Sequence, residues 1–148
     1  MLRENEPLNP ETNKRLVLDF YEEVLCGRNL EAAPRFLHEV YVQHNPYAAQ
    51  GIAGFLEFHR GFFSAIPDAR VAVNMVAAEG DLVFVYGTYT GTHTGKGFLD
   101  LPPTGNRVCY DVVDIFRVRD GKLAEHWDVA DTRAIFTQLG ALPPVPGP

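Results

Sequence analysis

The sequence predicts an α+β fold, with helices first and an antiparallel sheet second. Three observations carry this. Leu16, Val17, Phe20, Tyr21, Val24 and Leu25 recur at helical spacing, and a second helical pattern runs from Ile52 to Ala65. Beyond Pro67-Asp68 the periodicity changes to alternation, over Arg70–Ala78, Asp81–His93, Val108–Val118 and Leu123–Ala130. Gly80-Asp81 and Asp120-Gly121 fall between these segments as hairpin turns.

Each element has its own punctuation. Asn9 caps the first helix, with Pro10 at its first position, and Gly27 ends it. Asn29 opens a short second helix through Ala32, Ala33, Phe36 and Leu37. Residues 40–46, VYVQHNP, read as a strand halted by Pro46. The third helix carries Phe55, Leu56, Phe58, Phe62 and Phe63 as its apolar surface. TGKGFLDLPPTGN is a long Gly/Pro loop between two strands, and TRAIFTQLG suggests a short closing helix.

A chain of 148 residues fits a single domain spanning 1–148, able to bury a core without metal or disulfide. Residues 1–8 and the PPVPGP tail, 143–148, are expected to be flexible. With a net charge of −6 and no basic run, a nucleic-acid partner is not expected. No apolar run reaches membrane-spanning length, so no membrane partner is expected either. MLRENEPLNP lacks the apolar core of a secretory signal, and a cytoplasmic location is expected. Cys26 and Cys109 form no framework, and both read as reduced, semi-buried thiols.

The stretch DGKLAEHWDVAD holds the chemistry. His126 and Asp128 lie two residues apart, so they share one face of a strand. The preceding strand has an apolar face of Val108, Tyr110, Val112, Phe116 and Val118, interrupted only by Asp114. A two-residue loop at Asp120-Gly121 would force Glu125 inward. A three-residue loop, Arg119-Asp120-Gly121, pairs Val118 with Lys122, sets Asp114 opposite His126 and Val112 opposite Asp128, and is therefore expected. Three ionisable groups on one inner face are costly unless paired or lining a pocket. A structural Asp114–His126 hydrogen bond is the bland reading; Ala124 and Ala130 leave space and favour a pocket. The outer face, with Val113, Ile115, Trp127 and Val129, is too apolar for open solvent and predicts a homodimer joined through the convex side of the sheet.

Taken together, GTHTG, LPPTGNRV and VVDIFRVRDGKLAEHWDVAD resemble the SnoaL-like polyketide cyclases, part of the nuclear transport factor 2-like superfamily. YVQHNP and the Phe-rich third helix are similar to the same family's N-terminal half, so the resemblance covers about residues 12–138. It implies a cone: a curved antiparallel sheet around a deep pocket, closed by N-terminal helices, the architecture also called a cystatin-like barrel. It implies no cofactor, and an intramolecular aldol closure with an aspartate as general acid/base, which falls on Asp128. Asp114 falls where the cyclases carry histidine, a departure from the pattern. By similarity to ketosteroid isomerase, Asp114 matches an oxyanion-hole acid and Tyr21 its tyrosine partner, but the general base falls on Asn45, which cannot act as one. Limonene epoxide hydrolase offers a further alternative, hydrolysis, through counterparts at Asp131 and Asn45.

The expected chemistry is therefore acid/base catalysis on a small apolar or aromatic carbonyl compound through an enolate, by cyclisation, dehydration or isomerisation. Asp128, desolvated by Val112 and Ala130, is the expected base, with His126 and Asp114 as the acid pair. Tyr21, Asn45, Val112 and Phe116 are expected to contact the ligand. His44 and Asn45 are adjacent in a strand, so only one faces the pocket, and both remain candidates. His93 reads as a loop anchor; His38 and His59 read as surface residues of helices. No two candidate ligands sit at a standard metal spacing, so no metal is expected. A non-catalytic ligand-binding or assembly protein is the rival class.

Overall fold

The computed structural model describes residues 9–142. Helix α1 (Pro10–Phe20) starts at Asn9, whose side chain accepts from the backbone N–H of Glu11 and Thr12. It runs directly into a wider π-helical turn, Tyr21–Cys26. After a 3₁₀ turn at Leu30–Ala32 comes α2 (Ala33–Phe36), then β1 (Leu37–Gln43). Helix α3 (Gly51–Ala65) is followed by β2 (Arg70–Glu79), β3 (Leu82–Thr92), β4 (Arg107–Arg119), β5 (Lys122–Ala130) and α4 (Thr132–Gln138). The tails expected to be flexible, 1–8 and 143–148, lie outside the described residues.

The five strands form one curved sheet in the order β1-β5-β4-β3-β2. The α+β class holds, but the sheet is mixed rather than wholly antiparallel, because β1 lies parallel to β5. It does not close into a barrel. Helix α1, its π turn and α3 cover the concave face. Val17, Phe20, Tyr21, Val24, Phe55, Val83, Val85 and Phe116 make one buried cluster there. A second cluster, around Phe62, Ile66, Phe98, Val108, Tyr110 and Ile135, lies toward α4.

The β4–β5 hairpin corrects the expected register. Its loop has two residues, Asp120 and Gly121, both left-handed (φ 53 and 68), and Arg119 pairs with Lys122. Val118 then pairs with Leu123, and Arg117 with Glu125, leaving Ala124 as an extra residue. This bulge reverses the alternation of β5. Glu125 is thereby turned outward and His126 inward. Asp114 sits opposite Asp128, and Phe116 opposite His126. The inner face expected for β4 holds: Val108, Tyr110, Val112, Asp114, Phe116 and Val118 are all buried.

The loop between β3 and β4 crosses α3 at close range. A Cβ on Gly61 would lie 2.3 Å from the carbonyl oxygen of Gly97, so backbone meets backbone there. His93, fully buried, anchors the loop: its Nδ1 accepts from the Thr104 N–H at 3.3 Å. Cys26 and Cys109 are both free and exposed, not semi-buried. Among the described residues, no helix is long and apolar enough to cross a membrane.

Candidate active site

The concave face, α3 and the β3–β4 loop enclose a cavity of about 410 Å³, within the usual range for small-molecule sites. Phe55, Phe58, Phe62 and Phe98 make its walls apolar. Asp114, His126, Asp128 and Asn45 supply its polar end. Val112 and Phe116 also line it.

The polar end is a connected network. His126 Nε2 lies 2.8 Å from Asp114 Oδ1, and its Nδ1 lies 2.7 Å from Gln43 Oε1. Gln43 Oε1 also accepts the Asn45 backbone N–H at 2.9 Å, which identifies that atom as the oxygen. Nδ1 of His126 must then carry a hydrogen. A second proton lies between Nε2 and Asp114, because an unprotonated nitrogen facing an unprotonated carboxylate would repel it. The Tyr21 hydroxyl donates to Asp114 Oδ2. Both oxygens of Asp114 are thus occupied within the protein.

Asp128 differs. Its Oδ2 accepts from Asn45 Nδ2 at 2.6 Å and stands 4.0 Å from His126 Nε2. Asn45 is oriented by its own Oδ1, which accepts the Tyr47 N–H at 2.8 Å. Oδ1 of Asp128 has no hydrogen-bond partner among the described residues. Burial pushes the Asp128 carboxyl above its ordinary pKa, and the Asp114 charge adds to this; the Asn45 bond and His126 oppose it.

Three expected site residues lie elsewhere. His44 points to the convex face, stacks on Trp127 at 4.7 Å between ring centres, and places Nε2 2.8 Å from Glu125 Oε1. Strand alternation explains it, since Tyr41 and Gln43 point inward and the chain turns Asn45 in at the strand end. Tyr21 is buried behind Asp114 and does not line the cavity; its proton serves Asp114, not a ligand. Asp131, the epoxide hydrolase counterpart, caps α4 by accepting the Ala134 N–H at 3.0 Å and is exposed.

Other residues were missed from sequence. Gln43 reads as one polar residue of a strand, and its role appears only once β1 lies beside β5. His59, expected on the surface, lines the cavity with its ring 4.1 Å from Phe55. His38, expected in a helix, belongs to β1 and meets Asp120 at 3.3 Å. The Asp114, His126 and Asp128 ligand atoms lie within 4.8 Å of one another, spacing a metal ion could use. The short Asp114–His126 contact is equally a hydrogen bond, so the cluster does not call for one.

The model of the SnoaL-like polyketide cyclases matches residues 15–139. The chain belongs to the SnoaL-like polyketide cyclase family. Nogalonic acid methyl ester cyclase of Streptomyces nogalater is 28% identical over 108 residues, 72% of this chain and 78% of its own. TsrD from Streptomyces laurentii superimposes with a TM-score of 0.81 at 28% identity, over 91% of this chain and 99% of that one. AclR from Streptomyces galilaeus, a candidate hydroxylase, gives 0.82 at 31% identity, over 93% and 87%. This SnoaL-like chain thus shares its fold with relatives assigned more than one reaction, and its own chemistry has to be argued from its residues.

Proposed function

We propose that the protein is an acid/base enzyme that uses its own side chains to form an enolate from an aromatic carbonyl compound, as in an aldol-type cyclisation. The observation that carries this is Asp128: a desolvated carboxylate in an apolar cavity, held by one oxygen and free at the other. A base for a carbon acid needs a pKa nearer the working pH than an exposed aspartate has, and burial moves Asp128 that way. In the first step the C–H bond next to the carbonyl breaks. The proton goes to Asp128 Oδ1 and the electron pair becomes the enolate. The proton held between His126 and Asp114, beside Asp128, is the nearest acid for the oxygen that gains charge. The enolate carbon then attacks a second carbonyl of the same molecule; its π bond breaks, a C–C bond closes the ring, and the new alkoxide takes back the proton from Asp128, which restores the base.

Gln43, Tyr21 and Asn45 are positioning residues in this scheme. Each fixes one oxygen or nitrogen of the three central groups. The convex face carries a separate proposal, a homodimer. Ala77, Phe84, Ile115 and Trp127 form one row across four strands, and Met75, Tyr86, Val113 and Val129 the next. Met75 and Val129 are 65% and 70% exposed in the single chain.

The test uses two substrates. Nogalonic acid methyl ester, on which the Streptomyces nogalater relative is named as acting, is assayed for ring closure. An aromatic methyl ketone is assayed for exchange of its methyl hydrogens with deuterium, which requires only the enolate step. Ring closure or catalysed exchange supports the reading. Binding of both compounds without either reaction would favour a ligand-binding protein.

A further inference from the structure

One part of the cavity lies outside the acid cluster and has no role in the scheme above. On the inner face Tyr89 pairs with Tyr110, their rings stacked 5.5 Å apart and 9° from parallel. Tyr110 is four residues from Asp114 along β4, so their Cα atoms are separated by roughly 13 Å. Both tyrosines line the cavity. Neither hydroxyl has a hydrogen-bond partner among the described residues, and neither is among the fully occluded polar atoms left without one. Each hydroxyl therefore keeps some accessible surface.

His59, on α3, lines the same cavity and shares with Tyr89 a small niche beside Phe62. Its Nδ1 lies 2.9 Å from the carbonyl oxygen of Phe55. A carbonyl only accepts, so Nδ1 carries the hydrogen. In the neutral ring Nε2 is then a bare acceptor, and it too has no partner among the described residues and is not sealed off. Burial lowers the His59 pKa to about 4, so the ring stays neutral and accepting at ordinary pH. Burial likewise pushes the Tyr89 and Tyr110 hydroxyls up, so they remain protonated donors.

We propose that His59 and Tyr89 form a second polar subsite that takes a hydroxyl group of an aromatic ligand, His59 Nε2 accepting its hydrogen and the Tyr89 hydroxyl donating to its oxygen. This deepens the enolate reading and rests on it for the placement of the carbonyl near Asp128. An acceptor paired with a donor matches a hydroxyl, which is both. It does not match a carboxylate, which offers His59 no hydrogen and brings charge toward Asp114 and Asp128. The ligand class is a neutral fused-ring ketone with its hydroxyl on the ring remote from the carbonyl.

The experiment compares 2-acetyl-6-hydroxynaphthalene with its 6-methoxy ether by calorimetry at pH 6. The wild type should bind the hydroxyl compound about 5-fold to 10-fold more tightly, the worth of one hydrogen bond. In His59→Phe, which keeps an aromatic ring against Phe55, the ratio should fall to near 1. Tyr89→Phe should weaken both compounds, because the ether oxygen also accepts from Tyr89, and should leave most of the ratio in place. Asp128→Asn should leave the ratio unchanged while abolishing deuterium exchange, so failure of the subsite and failure of the base are read on different variants. A His59→Phe protein that still prefers the hydroxyl compound overturns the proposal, as does a wild type with no preference. Should His59→Phe not fold, lowering the wild-type buffer to pH 4 protonates the same nitrogen in about half of the molecules and should reduce the preference about 2-fold; a preference unchanged from pH 6 also overturns the proposal.

Discussion

Glu125 and His126 are neighbours on β5, yet each takes part in a histidine–carboxylate contact on an opposite face of the sheet. On the convex side His44 Nε2 meets Glu125 at 2.8 Å. On the concave side His126 Nε2 meets Asp114 at the same 2.8 Å. Distance does not distinguish them; surroundings do. The His44 side chain is 41% exposed, whereas that of His126 is 10% exposed and enclosed by Phe116, Gln43 and Asp114. Water screens the first pair and limits it to a fraction of a kcal/mol. The second cannot lose a partner without leaving a buried polar group unsatisfied. The same contact is surface chemistry on one face and the frame of the candidate active site on the other.

The two contacts separate most clearly at Asp114. Asp114→Ala removes the acceptor for both His126 and Tyr21, and is expected to lower stability by about 3 kcal/mol or more, read by urea denaturation. Tyr21→Phe should cost about 1–2 kcal/mol, since it removes only one donor to the same carboxylate. A stability within 0.5 kcal/mol of wild type for Asp114→Ala would mean that burial does not separate the two contacts.

Burial should also show in the pH dependence of stability. His59 has its folded pKa lowered to about 4, below an unfolded value of about 6.5. Between these values the unfolded chain binds a proton that the fold refuses. The contribution is complete above pH 6.5 and is lost as pH falls toward 4, by at most about 3 kcal/mol. Asp128 acts in the opposite sense. Its folded pKa is raised, so the ionised form weakens the fold at higher pH, and this burden lifts as pH falls through the folded pKa. His59→Phe should remove the His59 part of the loss between pH 6.5 and 4, leaving that of His93, also lowered by burial, and the opposing effect of Asp128. An unchanged curve would place His59 in contact with solvent.

The convex face should show the smallest effect on the single chain. His44→Ala is expected to change stability by less than about 0.5 kcal/mol and to leave ligand binding unaltered. Any larger effect should come through association of two copies. Sedimentation at micromolar concentration should give a dimer, and Ile115→Glu, in the middle of the apolar rows, should give a monomer.

Much of this was legible in the amino-acid sequence. Alternation placed Asp114, His126 and Asp128 on one inner face and Trp127 on the other. The register beneath was not legible. A two-residue turn with left-handed Asp120 and Gly121 is what the dipeptide favours, but it would have turned Glu125 inward. The bulge at Ala124 restores the alternation, and a small residue in a strand announces no bulge. Gln43 escaped because it acts only through a parallel pairing of two strands some eighty residues apart. His59 was within reach: with Ile52, Phe55, Leu56, Phe62 and Phe63 it completes one stripe of α3. A histidine on that stripe faces the interior. Leu99 and Asp100, consecutive left-handed residues in the loop that supplies Phe98 and Leu99 to the cavity, carry no such signal in their side chains.

Deuterium exchange into the acetyl methyl group of 2-acetyl-6-hydroxynaphthalene tests Asp128 as the base most directly. The wild type, in deuterated buffer, should exchange these hydrogens faster than buffer alone, followed by loss of the methyl proton signal. Asp128→Asn keeps the shape and its contact with Asn45 but loses the proton acceptor. Its rate should fall at least ~10²-fold, while urea denaturation shows a stability equal to or above wild type because a desolvated carboxylate has been neutralised. Exchange by Asp128→Asn at the wild-type rate would contradict the assignment.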